Sequence, residues 1–78
     1  MNNIFIIVPA YNEETIIQTS LKPLLEHNYS VVVVDDGSID NTYQKTLELS
    51  VHVIQHPVNL GQGAALQAGT EYALQQGA

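Results

Sequence analysis

Four consecutive β-branched residues, Val31-Val32-Val33-Val34, run directly into Asp35-Asp36-Gly37-Ser38. An unbroken apolar run bounded by turn residues predicts a strand buried on both faces. The two aspartates then fall at its carboxyl end, the edge at which open α/β sheets bind ligands. Gly37 permits a turn that a side chain would oppose. Ser38 is suited to accept a backbone N–H at the start of the next helix. A second apolar run, Ile4-Phe5-Ile6-Ile7-Val8, predicts another fully buried strand, ending at Pro9-Ala10-Tyr11-Asn12. Val51-His52-Val53-Ile54 predicts a third, followed by the loop His56-Pro57-Val58-Asn59-Leu60-Gly61.

Between the strands the period changes. Ile16, Ile17, Leu21, Leu24 and Leu25 recur at helical spacing and predict a core-facing stripe. Asn12 is suited to cap that helix, and Glu13 and Glu14 to its first turn, where acidic side chains complement the dipole. Pro23 interrupts the pattern and predicts a kink or a restart, at a cost of up to about 3 kcal/mol. A short helix is expected after Ser38, through about Leu47. From Gln62 to about Gln76 a helix is expected with a small face of Ala64, Ala65, Ala68, Gly69 and Ala73. Leu66 and Tyr72 supply its bulk, and Gly77 its C-cap. The order β-α-β-α-β-α predicts an α/β fold with three parallel strands. Three strands make an incomplete doubly wound sheet, so the chain is expected to be the N-terminal piece of a larger domain.

Composition narrows the function. The 78 residues include no cysteine, and the formal net charge is −6, with Lys22 and Lys45 the sole Lys or Arg residues. A disulfide framework is excluded. Binding to nucleic acid is not expected, because it rests on Lys and Arg neutralising phosphates. A phosphate ligand would need backbone N–H groups, a helix N-terminus or a metal ion. No apolar run approaches the ~20 residues that span a bilayer. Met1-Asn2-Asn3 lacks the basic start of a secretory leader. The expectation is a cytoplasmic chain, with the complete protein at the cytoplasmic face of the membrane.

One motif follows each strand: Pro9-Ala10-Tyr11-Asn12-Glu13-Glu14, Asp35-Asp36-Gly37-Ser38-Ile39-Asp40 and Asn59-Leu60-Gly61-Gln62-Gly63-Ala64-Ala65. Together they resemble the N-terminal half of the family 2 glycosyltransferases of the GT-A fold, in the polyprenyl-phosphate (dolichol-phosphate mannose synthase-like) branch. The resemblance covers essentially the whole chain. It implies a Rossmann-like nucleotide-binding sheet, with residues 1–78 as the nucleotide-sugar-binding half. It also implies sugar transfer with inversion from a UDP- or GDP-sugar, to a polyprenyl phosphate acceptor.

By the same resemblance, Pro9, Ala10 and Tyr11 form the wall against which the base packs, and Glu13 lies near the ribose and base edge. Asp36 accepts a hydrogen bond from the base, and Asp35 orients the loop. Gly61 and Gly63 bring the backbone near the nucleotide. Many relatives carry Lys or Arg between these glycines, where Gln62 stands here. The family's Asp-x-Asp metal motif and catalytic base follow the next strand. Mg²⁺ or Mn²⁺ is therefore expected in the complete enzyme, with ligands outside this chain. No catalytic residue is expected within it, and the chain alone is expected to be inactive.

Each motif also has a plainer reading. Asp35 and Asp36 read alternatively as a solvated strand-end turn, although adjacent carboxylates repel and a turn needs one. Tyr11 reads alternatively as a core or interface aromatic, Glu13 and Glu14 as helix-start residues, and Gly61-x-Gly63 as a helix-start turn. The glycine pair is not a dinucleotide fingerprint, since it follows the third strand and Leu66 stands where the last Gly or Ala belongs. His52 reads as a partly buried strand residue, and His27 and His56 as surface loop residues, with no metal-ligand spacing among them. The alternative function is a non-catalytic α/β nucleotide-binding or structural module. A phosphoacceptor receiver is disfavoured, because it needs an Asp after strand three, where Gln55-His56 stands. In the family's sheet order strand one is left as an apolar edge, residues 4–8, and a homo-oligomer through that edge is expected.

Overall fold

The computed structural model describes residues 4–78. Met1, Asn2 and Asn3, on which the leader reading rested, lie outside the described residues. The elements are β1 (Phe5–Ala10), α1 (Ile17–Glu26), β2 (Ser30–Asp36), α2 (Thr42–Leu47), β3 (His52–His56) and α3 (Gln62–Gln75). The three strands form one parallel sheet in the order β1-β2-β3. The α/β alternation expected from the sequence is the architecture found.

The central strand is β2. Val31 to Val34 are at most 2% exposed. Strand alternation sends Val31 and Val33 to one face, where they meet Ala10, Ile17 and Leu21. Val32 and Val34 face the other side with Ala65, Phe5, Ile7, Ile54 and Tyr72. Helix α1 covers the first face and is tied to α2 by Gln18 Nε2, which donates to the Lys45 carbonyl. Helix α3 covers the second. It ends in a Schellman turn: Gly77 N–H reaches Leu74 O, Ala78 N–H reaches Ala73 O, and Gly77 takes a left-handed φ of 101°.

Several local expectations are corrected. Strand β1 is half-buried in all but Ala10, because an edge strand has a neighbour on one side. Helix α1 begins at Ile17 rather than after Asn12. Asn12 is left-handed, with φ 53°, and Glu13 and Glu14 lie ahead of the helix. Ile16 falls outside the core stripe at 50% exposure. Pro23 does not restart the helix, which runs through it to Glu26. Ser38 does not cap α2. The Thr42 N–H that opens α2 is accepted by Asp40 Oδ1. Leu66 is 42% exposed, so Tyr72 alone of the two expected bulky residues packs against the core. Strand β3 extends two residues further than the apolar run, and His56 is its last member rather than a loop residue.

The small face of α3 brings its backbone close to the sheet. A Cβ at Gly69 would lie 2.4 Å from Ile7 Cγ2 and 3.2 Å from Val34 Cγ2. Ile7 is β-branched and stiff at χ1, so it yields poorly. Alanine would gain about 1 kcal/mol of helix propensity, against a typical overpacking cost of about 1–3 kcal/mol. Gly69→Ala is expected to lower the urea midpoint. A raised midpoint would show that the α3–sheet contact is loose.

Candidate functional site

The carboxyl ends of β1 and β2 lie side by side, with Ala10 paired to Asp35. Together with the loop into α3 they enclose a cleft of about 320 Å³. It is lined by Pro9, Ala10, Tyr11, Glu13, Asp36, Asn59, Gly61 and Gln62. Residues from the motifs after all three strands thus meet in one place. Pro9, Ala10, Tyr11, Glu13, Asp36 and Gly61 are where the sequence reading grouped them.

Asp35 and Gly63 do not line the cleft. Asp35 points to the opposite face of β2, is fully buried, and has no hydrogen-bond partner for either carboxylate oxygen among the described residues. Gly63 is exposed in the first turn of α3, with open space where a side chain would stand. Asn59 and Gln62 were not read as site residues. Their signal was present, since Asn59 opens the third motif and Gln62 separates its glycines.

Asp36 organises the floor of the cleft. Its Oδ1 accepts the Leu60 N–H at 2.9 Å and its Oδ2 the Gly61 N–H at 2.8 Å. His56 Nδ1 lies 3.0 Å from Oδ1. The His56 hydrogen bond, followed by the Leu60 N–H, holds the Asp36 carboxyl below its ordinary value despite burial. Orienting the loop, a role expected of Asp35, falls to Asp36. Two glycines make this approach workable. Gly61, at the cap of α3, has φ 99°. Gly37 has φ 76°, and a Cβ on it would meet the Val58 and Asn59 backbone at 2.3–2.4 Å.

The wall is fixed from the side by the β2–α2 loop. Asn12 N–H donates to Ser38 Oγ at 2.8 Å, and Ile39 N–H to Asn12 Oδ1 at 2.9 Å. Glu13 N–H donates to Thr42 Oγ1 at 2.7 Å, and Glu14 N–H to Asp40 Oδ2 at 3.3 Å. Thr42 returns both its hydroxyl and its N–H to Asp40 Oδ1. Within the wall, Tyr11 N–H donates to Glu13 Oε1 at 3.3 Å. Burial alone would raise the Asp40 carboxyl. The Thr42 hydroxyl, the Thr42 N–H and the Glu14 N–H outweigh it and hold the group below its ordinary value.

An open parallel α/β sheet with a ligand-sized cleft at its carboxyl edge is a Rossmann-like arrangement. Residues 5–76 match the model of Glycosyl transferase family 2, and the chain belongs to that family. It is 45% identical over 74 residues to an uncharacterized protein of Methanocaldococcus jannaschii (MJ1222), covering 94% of this chain and 30% of that protein. It is 38% identical over 93 residues to a UDP-N-acetylglucosamine–dolichyl-phosphate N-acetylglucosaminyltransferase of Methanococcus voltae, covering 96% and 37%. It is 38% identical over 79 residues to an undecaprenyl-phosphate 4-deoxy-4-formamido-L-arabinose transferase of Pseudomonas fluorescens, covering 85% and 23%. The chain spans well under half the length of each of these relatives.

The divalent ion that the resemblance implies for the complete enzyme finds no fit here. Among the described residues, no group of three or more His, Asp or Glu side chains converges as ligands. Three of the acceptor positions of the Asp36 carboxylate in the cleft are already filled, by Leu60, Gly61 and His56. Among the described residues no helix is long and apolar enough to cross a membrane.

The two depressed carboxyls set an acid limit on the site. Each ordinarily titrates near 3.8. A folded-state value below the unfolded one adds stability above the unfolded value, and that stability is lost as pH falls through the folded value. The urea midpoint is expected to drop as pH is lowered through and below 3.8. Asp40→Asn is expected to show a shallower drop. An equally steep drop in that variant would assign the acid sensitivity elsewhere.

Proposed function

We propose that the cleft holds the nucleotide of a UDP- or GDP-sugar, and that residues 1–78 form the nucleotide-sugar-binding half of a transferase. That enzyme moves the sugar, with inversion, to a polyprenyl phosphate at the cytoplasmic face of a membrane. One observation carries the reading: Pro9, Ala10, Tyr11, Glu13, Asp36 and Gly61, drawn from three separate motifs, line one cleft. The names of the dolichyl- and undecaprenyl-phosphate relatives support the choice of acceptor.

The chemistry of the wall suits a base. Tyr11 is 46% exposed at the cleft, so its ring is available to a flat ligand. Asp36 supplies an ionised acceptor at the floor, where Oδ2 takes the Gly61 N–H alone and keeps a second acceptor position to which a base bearing an imino N–H can donate. In inverting transfer a general base deprotonates the acceptor and a cation offsets charge on the leaving diphosphate. Neither part is assigned to a residue of this chain, which is expected to bind donor without turning it over. The outer edge of β1, which pairs with β2 alone among the described strands, is the surface through which two copies would associate.

The test is an NMR titration of the protein with UDP, GDP and AMP. Shifts are expected for UDP or GDP at Tyr11, Glu13, Asp36 and Gly61, and not for AMP. Stacking on an aromatic ring contributes about 1–3 kcal/mol, so Tyr11→Ala is expected to weaken binding roughly tenfold with the fold intact. Absence of any shift at millimolar nucleotide would reduce the chain to a structural α/β module.

A further inference from the structure

We propose that Thr42 is the positioning residue of the cleft wall, setting residues 11–13 from outside the cleft through its hydroxyl. This rests on the reading of the cleft as a nucleotide site, and adds to it a residue that touches no ligand.

Residues 11–16 belong to neither strand nor helix. That stretch has no strand ladder to hold it, and its backbone bonds at Glu13 are those that the Glu13 carbonyl accepts from the Ile16 and Ile17 N–H groups, yet it supplies Tyr11 and Glu13 to the cleft. Thr42 is fully buried as the first residue of α2 and does not line the cleft. A hydroxyl has one proton to give, and Thr42 gives it to Asp40 Oδ1. Its oxygen is then left as an acceptor, and the donor it meets is the Glu13 N–H at 2.7 Å, from 29 residues away. Donation to an ionised carboxylate polarises the hydroxyl and strengthens it as an acceptor.

The consequence runs into the cleft. With the Glu13 backbone fixed, its Oε1 takes the Tyr11 N–H. Asn12 between them is held on both sides, by Ser38 Oγ and the Ile39 N–H, in a left-handed conformation. The Glu14 N–H goes to the second oxygen of the same Asp40 carboxylate. Of these groups, Thr42 is the one that joins the Asp40 carboxylate to the Glu13 backbone.

The experiment compares Thr42→Val, which keeps the shape and removes the hydroxyl, with Thr42→Ser, which keeps the hydroxyl and removes a methyl. Affinity for UDP and GDP is read by NMR titration. Amide hydrogen exchange is read in the free wild-type protein. Thr42→Val is expected to lose about tenfold in affinity, the effect of leaving a polar partner unmade. Thr42→Ser is expected to keep most of the wild-type affinity. Signals from the His52–Tyr72 contact, on the α3 side, should be unchanged in both. The Glu13 amide is expected to be protected from exchange before any ligand is added.

Wild-type affinity in Thr42→Val overturns the proposal alone. So does a Thr42→Ser variant as weak as Thr42→Val, because packing rather than the hydroxyl would then be responsible. Free exchange of the Glu13 amide in the wild-type protein overturns it even where Thr42→Val fails to fold. A wild-type protein that takes no nucleotide overturns the reading of the cleft, and this proposal with it.

Discussion

A strand buried on both faces that ends in two carboxylates must offset the cost of taking each of them out of bulk water. Burying a charge is costly without compensating hydrogen bonds. Asp36 meets that demand with the Leu60 and Gly61 N–H groups and the His56 ring. The Leu60 and Gly61 donors lie just ahead of α3, so the end of β2 dictates where α3 begins. The chain must then pass close enough for its backbone to reach the carboxylate. That proximity requires Gly37 to lack a side chain and Gly61 to take φ 99°. The floor of the cleft is a by-product of solvating one aspartate.

Asp35 answers the same demand differently. It lies on the opposite face of β2, fully buried, with neither oxygen hydrogen-bonded among the described residues. Such a group is a cost that the fold offsets elsewhere. The adjoining valines are the nearest source, since each fully buried apolar side chain of this size contributes about 1.5–3 kcal/mol. The run of buried valines is thus adjacent to the least satisfied buried side chain among the described residues.

The strands and helices were legible because their patterns are periodic and long. Val31 to Val34 define the central strand wherever its neighbours lie, and the small face of α3 foretold its close approach at Gly69. Six of the eight residues that line the cleft were legible through their motifs and strand-end positions. The misreadings share a physical cause. Asn12, Ser38 and Asp40 all have helix-capping side chains, and local propensity assigned the first two to the helices that follow them. In the fold, Asn12 and Ser38 bond across to each other's loops instead. Asp40 both opens α2 and holds the Glu14 N–H. A cap and a cross-loop bond use the same atoms, and tertiary proximity decides between them. The division of labour between Asp35 and Asp36 was hidden for a related reason. Adjacent strand residues face opposite sides of a sheet, and the sequence does not say which side carries the loop. His56 was misplaced because β3 runs two residues beyond its apolar core, carried by pairing to Asp35 and Asp36.

The charge of the chain bears on how such a cleft can accept an anionic ligand. The net charge is −6, and neither Lys22 nor Lys45 lines the cleft. Within this chain, the positive potential available to the cleft comes from aligned backbone dipoles, chiefly the N-terminus of the 14-residue α3. Part of that resource is already committed, because Asp36 takes the Gly61 N–H at the cap. The first intrahelical bond is the one from the Ala65 N–H to the Gly61 carbonyl. The N–H groups of residues 62–64 are therefore the ones helix geometry leaves without an intrahelical acceptor. Gln62, which lines the cleft, opens that turn. An acceptor carboxylate at the floor and helix-start donors beside it give the cleft two chemically distinct ends. That polarity suits a ligand with a donor-bearing ring at one end and an anionic group at the other.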